Sequence, residues 1–134
     1  MLHKKKDQNY ISAKESRRIS RENRKITREL DKKRDRKHVD PAEYTTEMKN
    51  PENVVEFDNL HTYFFTDSGT VKAVNGVTFD IPEGSVVGVV GESGCGKSVT
   101  SLAIMRLVQG PQGQIVSGSI RFKSSDFIYD EHGK

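Results

Sequence analysis

The chain has 134 residues, 31% of them charged, and a formal net charge of +3. Its length allows at most one ordinary domain. A single cysteine excludes an internal disulfide framework, and no apolar run approaches the roughly 18 residues that a membrane-spanning helix requires. The basic N-terminus has no apolar core, so it does not resemble a secretory signal, and we expect a cytosolic chain.

The charge divides the chain into two parts. Residues 1–50 hold 16 of the 22 Lys and Arg and 9 acidic residues, a net charge of +7, whereas residues 51–134 have a net charge of −4. The first part has few large apolar residues and cannot form a core of its own. We therefore predict a charged extension, helical or disordered, over residues 1–50 and a folded body over residues 51–134.

The extension contains two predicted helices. Ser12-Ala13-Lys14-Glu15 fits a capping box, and residues 13–37 then lack Pro and Gly and are rich in Arg, Lys and Glu. The apolar stripe of this helix is thin, so we expect it to be solvated and frayed or partly disordered. Asp40-Pro41 begins a second, short helix, which Asn50-Pro51 ends.

The pattern changes to strands after Val54. The segment VVEFDNLHTYFF, residues 54–65, is β-branched and aromatic, and residues 66–69 form a turn. Short strands are predicted at residues 71–74 and 77–81, on either side of Asn75-Gly76. A last strand is predicted at residues 115–123.

A glycine-rich loop stands between a predicted strand and a predicted helix. Residues 85–90 are an apolar run typical of a strand covered on both faces, and residues 97–108 have the period of an amphipathic helix. Between them, Gly91-Glu92-Ser93-Gly94-Cys95-Gly96-Lys97-Ser98 matches the phosphate-binding pattern G-x-x-x-x-G-K-[ST] at every fixed position.

This spacing has a physical reason. Glycines allow successive backbone N–H groups to point into one concavity, and the following helix adds its unpaired N–H groups and the positive end of its dipole. Lys97 brings a full charge to the β- and γ-phosphates, and the Ser98 hydroxyl can bind Mg²⁺. The loop therefore predicts binding of a nucleotide with Mg²⁺.

The whole segment from about Val54 to about Phe127 resembles the ATP-binding subunits of ABC transporters, most of all the dipeptide/oligopeptide branch that includes nickel importers. Beyond the loop, the segments KAVNGVTFDIPEGSVVGVVGESG, GKSVTSLAIMRL and GQIVSGSIRF carry the resemblance. It implies an α/β fold: the N-terminal part of a P-loop NTPase domain, with an antiparallel β region followed by strand, P-loop and helix.

The resemblance also implies a set of site residues. An aromatic residue near the end of the family's first strand stacks on adenine, and Phe64 matches it by position, although its neighbours Tyr63 and Phe65 are close enough to compete. Cys95 is expected to be a tolerated small residue whose thiol is reactive beside Lys97. The implied nucleotide-binding residues are Phe64, Gly91, Glu92, Ser93, Gly94, Cys95, Gly96, Lys97, Ser98 and Val99, with Ser98 on Mg²⁺.

Other elements of the family are not found between Phe122 and Lys134: the glutamine loop, the LSGGQ signature, the Asp-Glu pair and the switch histidine. We therefore expect an N-terminal fragment that contains no catalytic residue and hydrolyses no ATP alone. The rival hypothesis is a non-catalytic protein that acts only by binding or interaction, with a vestigial loop.

The resemblance places the parent subunit on the cytoplasmic side of the cell membrane. It implies transmembrane permease subunits and a second ATP-binding subunit as partners, and indirectly an extracytoplasmic substrate-binding protein. Three interpretations of the basic extension stay open: a solvated helix without a partner, contact with anionic lipid, and contact with RNA. No aromatic residues alternate with its Arg and Lys, which argues against nucleic acid.

Overall fold

The computed structural model describes residues 11–43, 45–108, 110 and 112–124. Helix α1 spans Ala13–Arg34 and is followed by a 3₁₀ turn, Pro41–Glu43. The remaining elements are strand β1 (Asn53–Thr66), strand β2 (Gly69–Pro82), helix α2 (Lys97–Ile104) and strand β3 (Gly113–Phe122). None of the helices described is long and apolar enough to cross a membrane. The predicted α/β class is confirmed.

Strand β1 is the centre of a three-stranded antiparallel sheet. It pairs with β2 on one side and with β3 on the other, so that the order is β2-β1-β3. The sheet's main core cluster consists of Val55, Phe57, Leu60, Val74 and Ala103, the last of which comes from α2. Because residues of β1, β2 and α2 share this cluster, the sheet fixes where α2 lies.

A line of irregular residues crosses the sheet. Gly76 of β2, Asn59 of β1 and Gly118 of β3 all have positive φ, and the register shifts in both strand pairs beside Asn59. A Cβ atom at Gly118 would lie 2.3 Å from the Asn59 carbonyl oxygen, so only glycine fits there. The prediction of two strands around Asn75-Gly76 was wrong: the glycine forms a bulge inside one continuous strand.

Glu56 fastens the segment that precedes the sheet. Its side chain is buried, and its two carboxylate oxygens accept hydrogen bonds from the backbone N–H groups of Lys49 (2.9 Å) and Asn50 (2.8 Å) and from Asn53 Nδ2 (3.1 Å). Burial alone would raise the pKa of this carboxyl. The three hydrogen bonds and the charge of Arg121 outweigh that effect, so that the pKa lies below its ordinary value.

The strand predicted at residues 85–90 is not formed. These residues have no assigned secondary structure and are exposed, Val86 by 99% and Val90 by 91%. An apolar strand of this type is held by hydrogen bonds from neighbouring strands. No strand among the described residues pairs with it, and this explains the difference.

Helix α1 is better formed and less solvated than predicted, and it ends at Arg34 rather than at residue 37. The Ser12 hydroxyl accepts a hydrogen bond from the Glu15 N–H (3.2 Å), which confirms half of the predicted capping box. One face of the helix is buried or half-buried. Its polar members are Ser16, Ser20, Asn23, Thr27 and Asp31.

This face contacts the tip of the β1–β2 hairpin and the start of β3. Ser20 Oγ donates to Asp67 Oδ1 (2.9 Å), and Asn23 Nδ2 donates to the Thr66 carbonyl (2.8 Å). Nearer the C-terminus of the helix, Asp31 Oδ1 accepts from Gln114 Nε2 (2.9 Å). The extension is therefore docked on the sheet by short polar side chains.

The bonds of Glu56 predict acid sensitivity. Because its pKa is lower in the folded state than in the unfolded state, the stabilisation is present above about pH 4.5 and is lost as pH falls through the folded-state pKa. Glu56→Gln should lower the thermal midpoint at pH 7 and make it less dependent on pH between about 5 and 3. Circular dichroism melting curves measure this, with the exposed Glu22→Gln as control. If the thermal midpoint changed with pH equally in both variants and in the parent chain, Glu56 would not be the source of the acid sensitivity.

Candidate functional site

The glycine-rich loop leads directly into α2. Gly94 and Gly96 have φ values of 79° and 96°, in the left-handed region that favours glycine. Gly96 is the N-cap of α2 and has no side chain that could accept from the first-turn N–H groups. The helix therefore begins with backbone donors that no side-chain cap satisfies.

Gly96 also sets the distance between the loop and the sheet. A Cβ atom at this position would lie 2.3 Å from the Ala73 carbonyl oxygen of β2. Any other residue would have to move either the loop or the strand. Glycine is required here both for its φ angle and for its small size, so the loop is seated against β2.

The Lys97 ammonium lies over the loop. Lys97 Nζ donates to the carbonyl oxygens of Gly91 (2.7 Å) and Glu92 (2.6 Å), and it lies 3.7 Å from Cys95 Sγ. The side chain thus closes the loop on itself and places a positive charge beside the N-terminus of α2. The positive end of the helix dipole adds to this charge.

Two hydroxyl groups that the sequence reasoning did not select strengthen the first turn of α2. Thr100 is buried; its N–H and its Oγ1 both donate to the Gly96 carbonyl, at 2.9 and 3.0 Å. Ser101 Oγ donates to the Lys97 carbonyl (3.3 Å). Four-residue spacing is the signal that could have identified both contacts, because Ser and Thr in helices bond to the carbonyl four residues earlier.

The remaining predicted loop residues surround this core of the site. Glu92, Ser93 and Cys95 are exposed, and so is Ser98, the second residue of α2. Val99 is half-buried and packs against the main core cluster, so its side chain anchors the helix.

The three candidate aromatic residues of β1 have different surroundings. Tyr63 is engaged, because its hydroxyl donates to Asn75 Oδ1 (2.7 Å) and Lys72 Nζ lies 5.6 Å from its ring centroid. Phe65 is buried, with 7% of its surface exposed. Phe64 is half-buried and pairs with Val71, two residues before the Ala73 carbonyl that contacts the loop.

Taken together, these features suit an anion with several oxygens. Uncapped N–H groups, a helix dipole and one ammonium converge where the loop meets α2, and the exposed Ser98 hydroxyl is beside them. In the described part of the chain, no group of three His, Cys, Asp or Glu side chains could hold a metal ion. The site thus has the donors for phosphate, and the Ser98 hydroxyl can contribute one ligand to a cation.

Comparison with known families agrees with this chemistry. Residues 74–132, from the middle of β2 to near the end of the chain, match the model of the ABC transporter family. This part of the chain is similar to that family. The matched segment contains the whole glycine-rich loop and α2, so the site geometry and the family match concern the same residues.

Individual relatives narrow the branch. The oligopeptide transport ATP-binding protein AppD of Bacillus subtilis is 51% identical over 73 residues, which are 54% of this chain and 22% of the relative. The dipeptide transport ATP-binding protein DppD of the same organism is 49% identical over 75 residues, which are 56% of this chain and 22% of the relative. DppD of Escherichia coli is 40% identical over 73 residues, which are 54% of this chain and 22% of the relative. The chain thus spans about a fifth of the length of these relatives, and it resembles the peptide branch of ABC transporter ATP-binding subunits.

The close approach of Gly96 to the Ala73 carbonyl of β2, which we call the Gly96 seat, can be tested with a matched pair of substitutions. Gly94 and Gly96 both have positive φ, but a Cβ at Gly94 meets nothing within 4 Å. Gly94→Ala should therefore cost only backbone strain, about 1 kcal/mol. Gly96→Ala adds the clash with Ala73, and we expect it to lower the hydrogen-exchange protection of the Thr100 N–H at least ten times more. Equal loss of protection in both variants would refute a special role for the contact with β2.

Proposed function

We propose that this chain binds ATP as the N-terminal part of the ATPase subunit that powers a peptide-type ABC importer. The observation that carries the proposal is the loop itself: Gly96 seated against β2, the uncapped N-terminus of α2 and the Lys97 ammonium form one positively charged concavity. The names of the relatives, which are ATP-binding proteins of oligopeptide and dipeptide transport, support the choice of nucleotide and of transport class.

Each loop residue has a defined part in the proposal. Backbone N–H groups of residues 91–99 donate to the phosphates, and Lys97 exchanges its bonds to two loop carbonyls for bonds to the β- and γ-phosphates. The Ser98 hydroxyl is the protein ligand of Mg²⁺. Within this chain Ser98 would be the residue that holds the ion, and the ion would offset the negative charge of the phosphates.

Phe64 is proposed to stack on adenine. Its two competitors are less suitable, because Tyr63 is engaged by Asn75 and Lys72 and Phe65 is buried. Phe64 also pairs with a residue of β2 that lies close to the loop seat at Ala73. A base stacked on this ring would lie beside the part of the sheet that the loop contacts.

The wider assignments follow from the transport class and belong to the same proposal. The parent subunit hydrolyses ATP on the cytoplasmic side of the membrane, together with a second ATP-binding subunit. It drives transmembrane permease subunits that receive peptides from an extracytoplasmic binding protein. Within this chain we assign no catalytic residue.

Nucleotide binding can be measured through Cys95, which is exposed in the loop. Mg-ATP should slow alkylation of this thiol because the phosphates cover the loop, and AMP should protect it poorly because it lacks the β- and γ-phosphates. Lys97→Ala should abolish protection by ATP. The quantity compared is the ratio of alkylation rates with and without nucleotide at one pH.

Lys33→Ala is the matched control, since it removes an exposed cation from α1, away from the loop. It should leave protection by ATP unchanged. If millimolar Mg-ATP gives no protection in the parent chain, or if both Lys variants respond alike, nucleotide binding by this chain is refuted.

The same proposal predicts that the chain alone does not turn over ATP. The loop supplies phosphate donors but no carboxylate placed to activate water, so phosphate release should not exceed that of buffer with Mg²⁺. Steady phosphate release that Lys97→Ala removes would contradict this prediction, and would show that the chain holds its own general base.

A further inference from the structure

Helix α1 separates its charges by face. Seven cations that lie within about 100° of the helix circumference form what we call the basic stripe: Lys14, Arg17, Arg21, Arg24, Lys25, Arg28 and Lys32. All seven are exposed, and the stripe is about 27 Å long. The acidic residues Glu15, Glu22 and Glu29 recur every seven residues on one flank, outside the stripe.

Docking of α1 decides which way the basic stripe faces. The docked face, with Ser20 and Asn23 bonded to the hairpin tip and Asp31 bonded to Gln114, is centred about 100° around the helix from the stripe, whose residues are all exposed. These contacts extend from Ser20 in the middle of the helix to Asp31 near its C-terminus, so the helix cannot roll about its axis without breaking them. The stripe is consequently presented to solvent as a fixed, nearly linear row of charge.

We propose that the basic stripe is a binding surface for an anionic membrane, and the choice of a membrane rests on the proposed function in a transporter. Arg and Lys drawn to acidic headgroups need no apolar insertion. The stripe fits that mode, because Ile19 and Leu30 are half-buried on the docked side and the exposed Ile26 lies outside the stripe. α1 would therefore lie on the surface and not enter it.

Two observations favour a membrane over RNA. The sequence of α1 contains no aromatic residue, so the helix offers no ring on which an unpaired base could stack. The segment that follows, residues 51–134, has a net charge of −4 and would repel a polyanion that wraps around the chain. A flat surface, by contrast, contacts only the outward row of α1.

The test is sedimentation of the full chain with vesicles of phosphatidylcholine, with and without 30 mol% phosphatidylserine. Binding should require phosphatidylserine and should weaken strongly at high salt. The triple variant Arg17→Gln, Arg21→Gln and Arg24→Gln should bind roughly a hundredfold less, since each cation near such a surface contributes about fivefold. Gln keeps nearly the helix propensity of Arg, and circular dichroism verifies that α1 is retained.

The control removes the same charge elsewhere, through Lys33→Gln, Lys37→Gln and Arg106→Gln, all exposed and outside the stripe. The fold-loss of vesicle binding in this control variant should be less than a tenth of the fold-loss in the stripe variant. Equal losses in both variants, or equal binding to vesicles with and without phosphatidylserine, would overturn the proposal. So would displacement from vesicles by a single-stranded RNA oligonucleotide that the stripe variant no longer binds, because the stripe would then be an RNA surface.

Lys97→Ala keeps this test separate from that of nucleotide binding. The substitution lies outside α1, so vesicle binding should be unchanged even though ATP no longer protects Cys95. Failure of the ATP experiment with intact vesicle binding would refute the proposed function alone. Loss of vesicle binding in Lys97→Ala would overturn the assignment of the membrane surface to the basic stripe.

Discussion

The pairing of β1 on both sides is the constraint on which the rest of the structure depends. Every strand bond of the sheet involves β1, and the buried residues of the main core come largely from it. The loop reaches the sheet through Ala73 of β2, and α1 reaches it through Thr66 and the turn after β1. A shift of β1 by one residue would exchange its two faces and move both attachments.

The candidate site is built where the sheet meets a helix start. The close approach of Gly96 to Ala73 fixes the distance from the loop to β2. Thr100 bonds the first turn of α2 to the Gly96 carbonyl, and Ala103 packs the far end of the helix into the core. Lys97 then needs no partner outside the loop to hold its ammonium in place. The positive charge is thus fixed before any ligand binds, which reduces the entropy lost on binding.

The same sheet supports a second surface of different character. The glycine-rich loop concentrates a few donors in a concavity, whereas the basic stripe spreads seven cations along a helix. We propose that the loop recognises one small anion through geometry and that the stripe attracts an extended anionic surface through summed charge. Because both are anchored to β1 or to its hairpin partner, their relative placement is set by the sheet.

Local chemistry determined much of this protein from sequence alone. The start of α1 at Ser12, the turn after Thr66 and the loop from Gly91 to Ser98 follow from capping, turn residues and glycine spacing, which act within a few residues. The α/β class and the family resemblance are likewise confirmed. The roles of Phe64 and of the loop residues stay predictions that the nucleotide experiments address.

Only the tertiary structure decided the rest, because those features depend on partners distant along the chain. Asn75-Gly76 reads as a strand end, but pairing with β1 makes it a bulge. Residues 85–90 read as a strand, yet a strand needs neighbours, and none pairs with them in the described part of the chain. Ser20 and Asn23 read as ordinary polar residues of a solvated helix, until the hairpin tip more than 40 residues later accepts their hydrogen bonds.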